Sequence, residues 1–171
     1  IGNMGATGMQ SSFFEDMVAE VLALTGEDSP VKVRRVLRNS CMLSSDVSAA
    51  YDPLYPEVFE KKNTAYFGRG LVLNKYTGSR GKNGTSDANA EYVAKVRNVF
   101  DNNHVAFQTA ELGKVDQGGG GTIAYVMANK AMSVIDSGVA VLSMHAPYEV
   151  TSKSDIYEVY RGYKAFLKDM K

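Results

Sequence analysis

Apolar residues recur every three or four positions in three stretches of the chain, which predicts amphipathic helices there. The predicted buried stripes are Phe14, Met17, Val18, Val21 and Leu22; Tyr92, Val93, Val96, Val99 and Phe100; and Ile156, Val159, Tyr160, Tyr163, Phe166 and Leu167. Ser12 and Glu15 have the spacing of a capping box at the start of the first helix. Ser86 is expected to cap the second helix, and the last helix is expected to begin after Ser154.

Short continuous apolar runs alternate with these helices and predict strands that are buried on both faces. We expect strands over residues 40–47, 70–77, 105–112 and 138–145, a flexible polar turn over 78–87, and a short helix over 122–132. Strands that alternate with helices are typical of α/β domains. The pattern therefore predicts one α/β domain over residues 1–171, with a mixed, mainly parallel sheet and helices on its faces.

Composition argues against several classes of partner. Lys plus Arg and Asp plus Glu both total 19, so the formal net charge is zero and does not favour nucleic acid or an anionic membrane. No apolar run approaches the ~20 residues that span a bilayer. The single cysteine, Cys41, cannot form an internal disulfide, which is typical of a reducing compartment. We therefore expect a cytoplasmic protein with neither a nucleic-acid nor a membrane partner.

Asp46 and His145 are the candidate metal ligands, because each stands at the carboxyl end of a predicted strand. Ligands of open α/β sheets bind outside that edge, and a carboxylate and an imidazole are both zinc ligands. The alternative is that Asp46 caps a turn and His145 is structural, since an isolated Asp or His usually has such a role. Glu149 follows in the stretch "MHAPYE" and could orient the His145 ring, or lie on the surface. For His104 we favour a structural role.

Two glycine-rich stretches suggest a phosphate site, but neither has the full motif. Gly118–Gly121 precede a predicted helix, yet no Gly-Lys-Ser/Thr sequence follows and the spacing is not that of a dinucleotide fingerprint. The opening "IGNMGATG" fails the same tests. Glycine also lets a backbone approach a ligand closely, so the alternatives for Gly118–Gly121 are a ligand-contacting loop and a flexible turn.

Four stretches occur in an order that resembles the family of aspartyl aminopeptidase and vacuolar aminopeptidase I, in its bacterial type. They read "SSDVSAAYDPLYP", "GLVLNKYTGSRG", "DQGGGGTIA" and "GVAVLSMHAPYEV", and the resemblance extends from Ile1 to about Leu167. It implies the C-terminal part of a zinc-peptidase catalytic domain. It also implies a metallo-aminopeptidase that removes N-terminal residues from peptides with two zinc ions and an activated water.

The resemblance assigns roles to particular residues. Asp46 matches a ligand of one zinc, His145 matches a ligand of the other, and Glu149 matches an acidic residue that follows that histidine. Lys75 is the nearest match to a substrate-contacting lysine, although Asn74 aligns as well. The substrate would also approach the glycine loop, at Gly118, Gly119, Gly120 and Gly121. Some members have a histidine where this chain has Ala49.

The family's catalytic Glu pair would stand directly before Ile1, and its other ligands and dimerisation domain lie further upstream. The resemblance thus predicts a fragment that binds zinc weakly and lacks peptidase activity, from a parent enzyme that is a homo-oligomer, a dodecamer in the family. One alternative is a catalytically inactive folded fragment or an assembly piece of a larger oligomer. Another is a phosphate or nucleotide binder, which the missing lysine disfavours.

Overall fold

The computed structural model describes residues 4–80, 83–114 and 116–170. The helices are α1 (Phe13–Leu24), α2 (Pro30–Arg38), α3 (Ala90–Asn102), α4 (Ala124–Ala128) and α5 (Lys153–Asp169). The strands are β1 (Cys41–Ser45), β2 (Ser48–Ala49), β3 (Leu71–Asn74), β4 (Tyr76–Ser79), β5 (Asn83–Asp87), β6 (Phe107–Ala110), β7 (Ser133–Gly138), β8 (Ala140–Leu142) and β9 (Val150–Thr151). Ile1, where the predicted Glu pair would adjoin the chain, lies outside the described residues.

The strands form two sheets and a hairpin. The main sheet has the order β1-β7-β3-β6, in which β1 pairs parallel with β7, β3 pairs parallel with β6, and β3 runs antiparallel to β7. The small sheet has the order β2-β8-β9, and β4 pairs with β5 in the hairpin. The predicted mixed α/β fold is therefore confirmed.

β3, one of the two inner strands of the main sheet, is buried along its whole length, because helices pack on one face of it and the small sheet packs on the other. Leu71 and Leu73 join Val96 and Phe100 of α3 and Ala165 of α5 in the largest core cluster. On the opposite face, Val72 packs with Ala140 of the small sheet, with Ala50 and Ala65 beside that sheet, and with Ala110 at the end of β6. This two-sided burial explains why the strand reads as a continuous apolar run.

Several local predictions are wrong. Ser12 makes no capping hydrogen bond, and its hydroxyl instead donates to the carboxylate of Asp16 at 3.0 Å. Ser86 lies within β5, in a hairpin that occupies the predicted flexible turn, while Asn89 caps α3 by accepting from the amide of Tyr92 at 2.7 Å. α5 begins after Ser152 rather than Ser154.

Two predicted stripes are also only partly buried. α1 has no buried residue, and in α5 the predicted core residues Ile156, Tyr160 and Leu167 are exposed. Val159, Tyr163 and Phe166 do pack against the core, as predicted. α3 follows the prediction, with three of its stripe residues buried: Tyr92, Val96 and Phe100.

Candidate metal-ligand site

Asp46 occupies the junction between the two sheets. It follows β1 and precedes β2 by two residues, and its amide donates to the carbonyl of Ser137 in the neighbouring β7 at 3.0 Å. Its exposed side chain accepts a hydrogen bond on Oδ1 from the amide of Val47 at 2.7 Å. The second carboxylate oxygen, Oδ2, makes none of these contacts. The local backbone thus holds one oxygen of an accessible carboxylate in place.

His145 lies in the loop that joins β8 to β9, three residues beyond the end of β8. The turn around it is closed by the amide of Ala146, which donates to the carbonyl of Ser143 at 2.9 Å. Within this turn His145 has a φ of +68°, a left-handed conformation that costs energy in a residue with a side chain. The turn therefore presents an exposed imidazole on a strained backbone.

Glu149 lies near His145 but contacts its backbone. Its Oε1 accepts a hydrogen bond from the amide of His145 at 2.5 Å. The sequence predicted a contact from Glu149 to a ring nitrogen of His145, and the hydrogen bond between the two residues is made to the backbone instead. This hydrogen bond from the His145 amide to Glu149 thus holds the backbone of the turn in place.

Asp136 is a buried acidic residue that the sequence analysis missed. It lies in β7 opposite Ser44 of β1, is 2% exposed, and accepts on Oδ2 from the hydroxyl of Thr77 at 3.0 Å. Burial raises the pKa of the Asp136 carboxyl above its ordinary value, and the nearby carboxylate of Asp46 adds to the rise, while hydrogen bonds from neighbouring hydroxyls oppose it. The only signal in the sequence was an Asp inside the otherwise strand-like "SVIDSG".

Lys75 and Asn74 have separate environments. The ammonium group of Lys75, directly after β3, forms an ion pair with Asp87 in the β4–β5 hairpin. Asn74 is 3% exposed, and its side-chain oxygen accepts from the hydroxyl of Ser48 at 3.2 Å. β3 runs antiparallel to β7, and Asn74 is paired with Asp136. From Asn74 to Lys75 the chain therefore moves further from Asp46 along the strand direction. A role for Lys75 in substrate binding stays a prediction.

The glycines at 118–121 contact another part of the chain. The amide of Gly78 in β4 donates to the carbonyl of Gly120 at 3.0 Å, and the amide of Arg80 donates to the carbonyl of Gly118 at 3.1 Å. A Cβ atom added to Gly119 would lie 2.6 Å from the carbonyl oxygen of Gly78. These glycines thus let the loop lie against the edge of β4, and contact with a ligand stays a prediction.

The ligand types at Asp46 and His145 are suitable for zinc, but they are too few to complete a site. Within residues 4–80, 83–114 and 116–170, no group of three or more His, Cys, Asp and Glu side chains is arranged to hold a metal ion. A catalytic zinc usually has three protein ligands, and a structural zinc usually has four. The described chain therefore offers an accessible carboxylate and an accessible imidazole, and a ligand role for Asp46 and His145 stays a prediction.

Comparison with known proteins gives a consistent family. A family model described as aminopeptidase I zinc metalloprotease (M18) matches residues 1–167. A probable M18 family aminopeptidase 1 from Clostridium acetobutylicum is 61% identical over 169 residues, which is 99% of this chain and 36% of the relative. The chain thus spans little more than a third of that relative's length.

Solved structures give the same result. The crystal structure of the Clostridium acetobutylicum aminopeptidase I matches 97% of this chain and 35% of its own with a TM-score of 0.85. The M18 aminopeptidase from Thermotoga maritima, at 44% identity, has a TM-score of 0.92 over 98% of this chain and 37% of its own. A Saccharomyces cerevisiae mApe1 dodecamer, at 24% identity, shares the fold with a TM-score of 0.76 over 99% of this chain and 36% of its own.

Among residues 4–80, 83–114 and 116–170, no helix has the length and the apolar composition of a membrane span.

Proposed function

Because this chain belongs to the aminopeptidase I zinc metalloprotease (M18) family, we propose that it forms the C-terminal part of the catalytic domain of a zinc aminopeptidase. The reaction is removal of N-terminal residues from peptides at a two-zinc centre. The family match over residues 1–167 carries the proposal. Its support within the chain is that Asp46 and His145, whose side chains are of types that bind zinc, are both exposed.

When bound, zinc supplies Lewis acidity toward a peptide carbonyl and makes water a nucleophile at neutral pH. In this proposal the carboxylate of Asp46 holds one zinc, with Oδ1 oriented by the amide of Val47. The imidazole of His145 holds the other zinc, and Glu149 fixes the backbone from which that ring projects. Peptide binding at Lys75 and along Gly118–Gly121 is part of the same proposal.

The proposal assigns neither the general base nor the remaining zinc ligands to residues of this chain. We therefore propose that the 171-residue chain alone binds zinc weakly and is inactive. Metal content after dialysis and hydrolysis of aminoacyl-p-nitroanilides test this directly. Stoichiometric zinc with turnover in the isolated chain would contradict it.

A test of the proposed zinc-binding roles uses the protein expressed from its complete reading frame. Asp46→Ala and His145→Ala are each expected to lower the zinc content and abolish hydrolysis. His104→Ala is the matched control, because His104 also has a left-handed backbone, with a φ of +53°, and has no proposed ligand role. Wild-type zinc content in a folded Asp46→Ala or His145→Ala variant would exclude that residue as a ligand.

The second candidate is a folded piece that assembles with further polypeptide and has no activity of its own. The exposed apolar side of α1 favours it, since that helix has no buried residue. The yeast mApe1 dodecamer supports the proposal that the assembled protein is a homo-oligomer. A cytoplasmic location is the accompanying proposal, and it rests on the single, exposed thiol of Cys41.

A further inference from the structure

Two segments of the chain run side by side through both sheets. Residues 41–49 form β1 and then β2, and residues 133–142 form β7 and then β8, with the same parallel register in the main and the small sheet. The ladder continues between the sheets, where the amide of Asp46 donates to the carbonyl of Ser137 at 3.0 Å. Asp46 thus lies beside Gly138, at the point where both segments pass from one sheet to the other.

No side chain fits at Gly138. A Cβ atom added there would lie 1.3 Å from the carbonyl oxygen of Asp46 and 2.5 Å from its carbonyl carbon. Gly138 does not have the left-handed φ that favours glycine elsewhere in the described chain, for example at Gly70. Glycine is therefore needed at this position for space, because the Asp46 carbonyl occupies the volume of a Cβ atom.

The same peptide group connects this contact to the candidate metal ligand. In a trans peptide the carbonyl oxygen and the following N–H point in opposite directions. Since the carbonyl of Asp46 points into β7 at Gly138, the N–H of Val47 points away from β7. That N–H donates to Asp46 Oδ1 at 2.7 Å. The hydroxyl of Tyr163 also donates to the Ser137 carbonyl, at 2.9 Å, which fixes the peptide just before Gly138.

We infer that Gly138 is a positioning residue for the zinc-binding carboxylate of Asp46, an inference that rests on the proposed function. A methyl group at position 138 would push the Asp46 carbonyl out of its place. Because the peptide is planar, the Val47 N–H would turn with it and release Oδ1. Loss of a hydrogen bond that orients a metal ligand typically weakens metal binding by about 10- to 100-fold.

The test uses the full-length protein and compares Gly138→Ala with Gly70→Ala. Gly70 is the matched control, since a Cβ atom there would lie 2.1 Å from the carbonyl oxygen of Ala106, in a part of the fold without a proposed ligand. Both variants are expected to unfold at lower temperature than wild type. Only Gly138→Ala is expected to bind zinc about 10- to 100-fold more weakly, measured by competition with a chromophoric chelator.

Asp46→Ala separates failure of this inference from failure of the proposed function. If Asp46→Ala binds zinc as tightly as wild type, the proposed ligand role itself fails. If Asp46→Ala loses zinc while folded Gly138→Ala keeps wild-type affinity, only the inference about Gly138 is overturned. The double variant is expected to bind no more weakly than Asp46→Ala alone, because Gly138 acts through that carboxylate.

Val47→Pro tests the same step if Gly138→Ala does not fold. Proline removes the N–H that holds Oδ1 and leaves the amide of Asp46, which belongs to the ladder with β7. We expect a loss of zinc affinity in the same range as for Gly138→Ala. Wild-type zinc affinity in folded Val47→Pro would overturn the inference.

Discussion

His145 and His104 share a backbone conformation that glycine adopts at little cost. Their φ angles are +68° and +53°, and neither residue is a glycine. At His104 the amide donates to the carbonyl of Asp101 at 3.1 Å, in the turn that ends α3. At His145 the strained backbone carries a side chain with a proposed ligand role. Strain of this kind persists where the surrounding structure imposes it.

Replacing either histidine by glycine should relieve that strain. We expect His145→Gly and His104→Gly each to raise the free energy of unfolding by up to about 1 kcal/mol, with the greater flexibility of the unfolded chain limiting the gain. Only His145→Gly should lower the zinc content of the full-length protein. Urea denaturation and metal analysis measure the two effects, and equal zinc content in both variants would contradict the assignment of His145.

Asp136 predicts a particular dependence of stability on pH. Burial raises its pKa in the folded chain, so the folded state binds its proton more tightly than the unfolded state does. This contribution favours folding when the pH is below the unfolded-state pKa of about 3.9. It is lost as the pH rises through the folded-state pKa. Asp136→Asn removes the titration, and an exposed carboxyl, as in Asp101→Asn, provides the control.

We therefore expect wild type to lose more stability than Asp136→Asn over a pH range that begins at about 4 and extends upward through the folded-state pKa. Urea unfolding across this range, with EDTA present, measures the difference. Parallel profiles for wild type and Asp136→Asn would show that burial does not perturb this carboxyl.

The sequence located the candidate ligands, but it could not reveal the interactions that hold them. Asp46 and His145 follow strands, which a run of apolar residues makes visible. The close contact at Gly138 and the φ of His145 depend on how distant segments pack, so no local pattern contains them. Asp136 escaped notice because an acidic residue in a short polar-apolar stretch is usually exposed.

The helices show which local signals are reliable. The stripe of α3 is buried as predicted, because that helix packs over the centre of the main sheet. In α5 the fully buried residues are instead two small ones, Gly162 and Ala165, together with Asp155. A Cβ atom added to Gly162 would lie 2.7 Å from Leu71, so close packing selects a small residue there. Three large apolar residues of the predicted stripe, Ile156, Tyr160 and Leu167, are exposed, and for these the prediction was wrong.

Asp155 connects α5 to the segment that leads into β3. It is 1% exposed, and its two carboxylate oxygens accept from the amides of Gly68 at 2.8 Å and Gly70 at 2.9 Å. Asp155→Ala would leave these donors without their acceptor, and a lost charged acceptor costs about 1.5–3 kcal/mol per hydrogen bond. With two such bonds, we expect a destabilisation of about 3–6 kcal/mol in urea unfolding.

Glu91 provides a control for the Asp155 experiment. It is also an acidic residue in the first turn of a helix, but it is exposed on α3. Glu91→Ala removes the favourable interaction with the helix dipole alone, worth about 0.3–1 kcal/mol. Similar losses in both variants would mean that the two amide contacts of Asp155 contribute little.

At the scale of the whole molecule, apolar side chains remain on the outside of α1. Met17 is 51% exposed and Val21 is 58% exposed, on a helix without a buried residue. A contiguous apolar surface of this kind favours association with another polypeptide. We therefore expect the 171-residue chain to self-associate at low concentration, as the hypothesis of an assembly piece requires.

Charges on that surface should reduce the association. Met17→Lys with Val21→Lys is expected to weaken self-association about tenfold or more, because each lost apolar contact is worth on the order of 1 kcal/mol. Leu54→Lys is the control, as Leu54 is 80% exposed and lies between β2 and β3 rather than in α1. Sedimentation velocity gives the measurement, and a wild-type chain that stays monomeric would contradict the hypothesis.

The shared register of residues 41–49 and 133–142 also constrains how this protein can change in length. The two segments are paired in both sheets without a break at Asp46 and Gly138. Deleting one residue from either segment would shift every pair beyond that point and reverse the faces of one strand. Only a matched deletion or insertion in both segments keeps the pairing, so the two lengths must vary together even though ninety or so residues separate them along the chain.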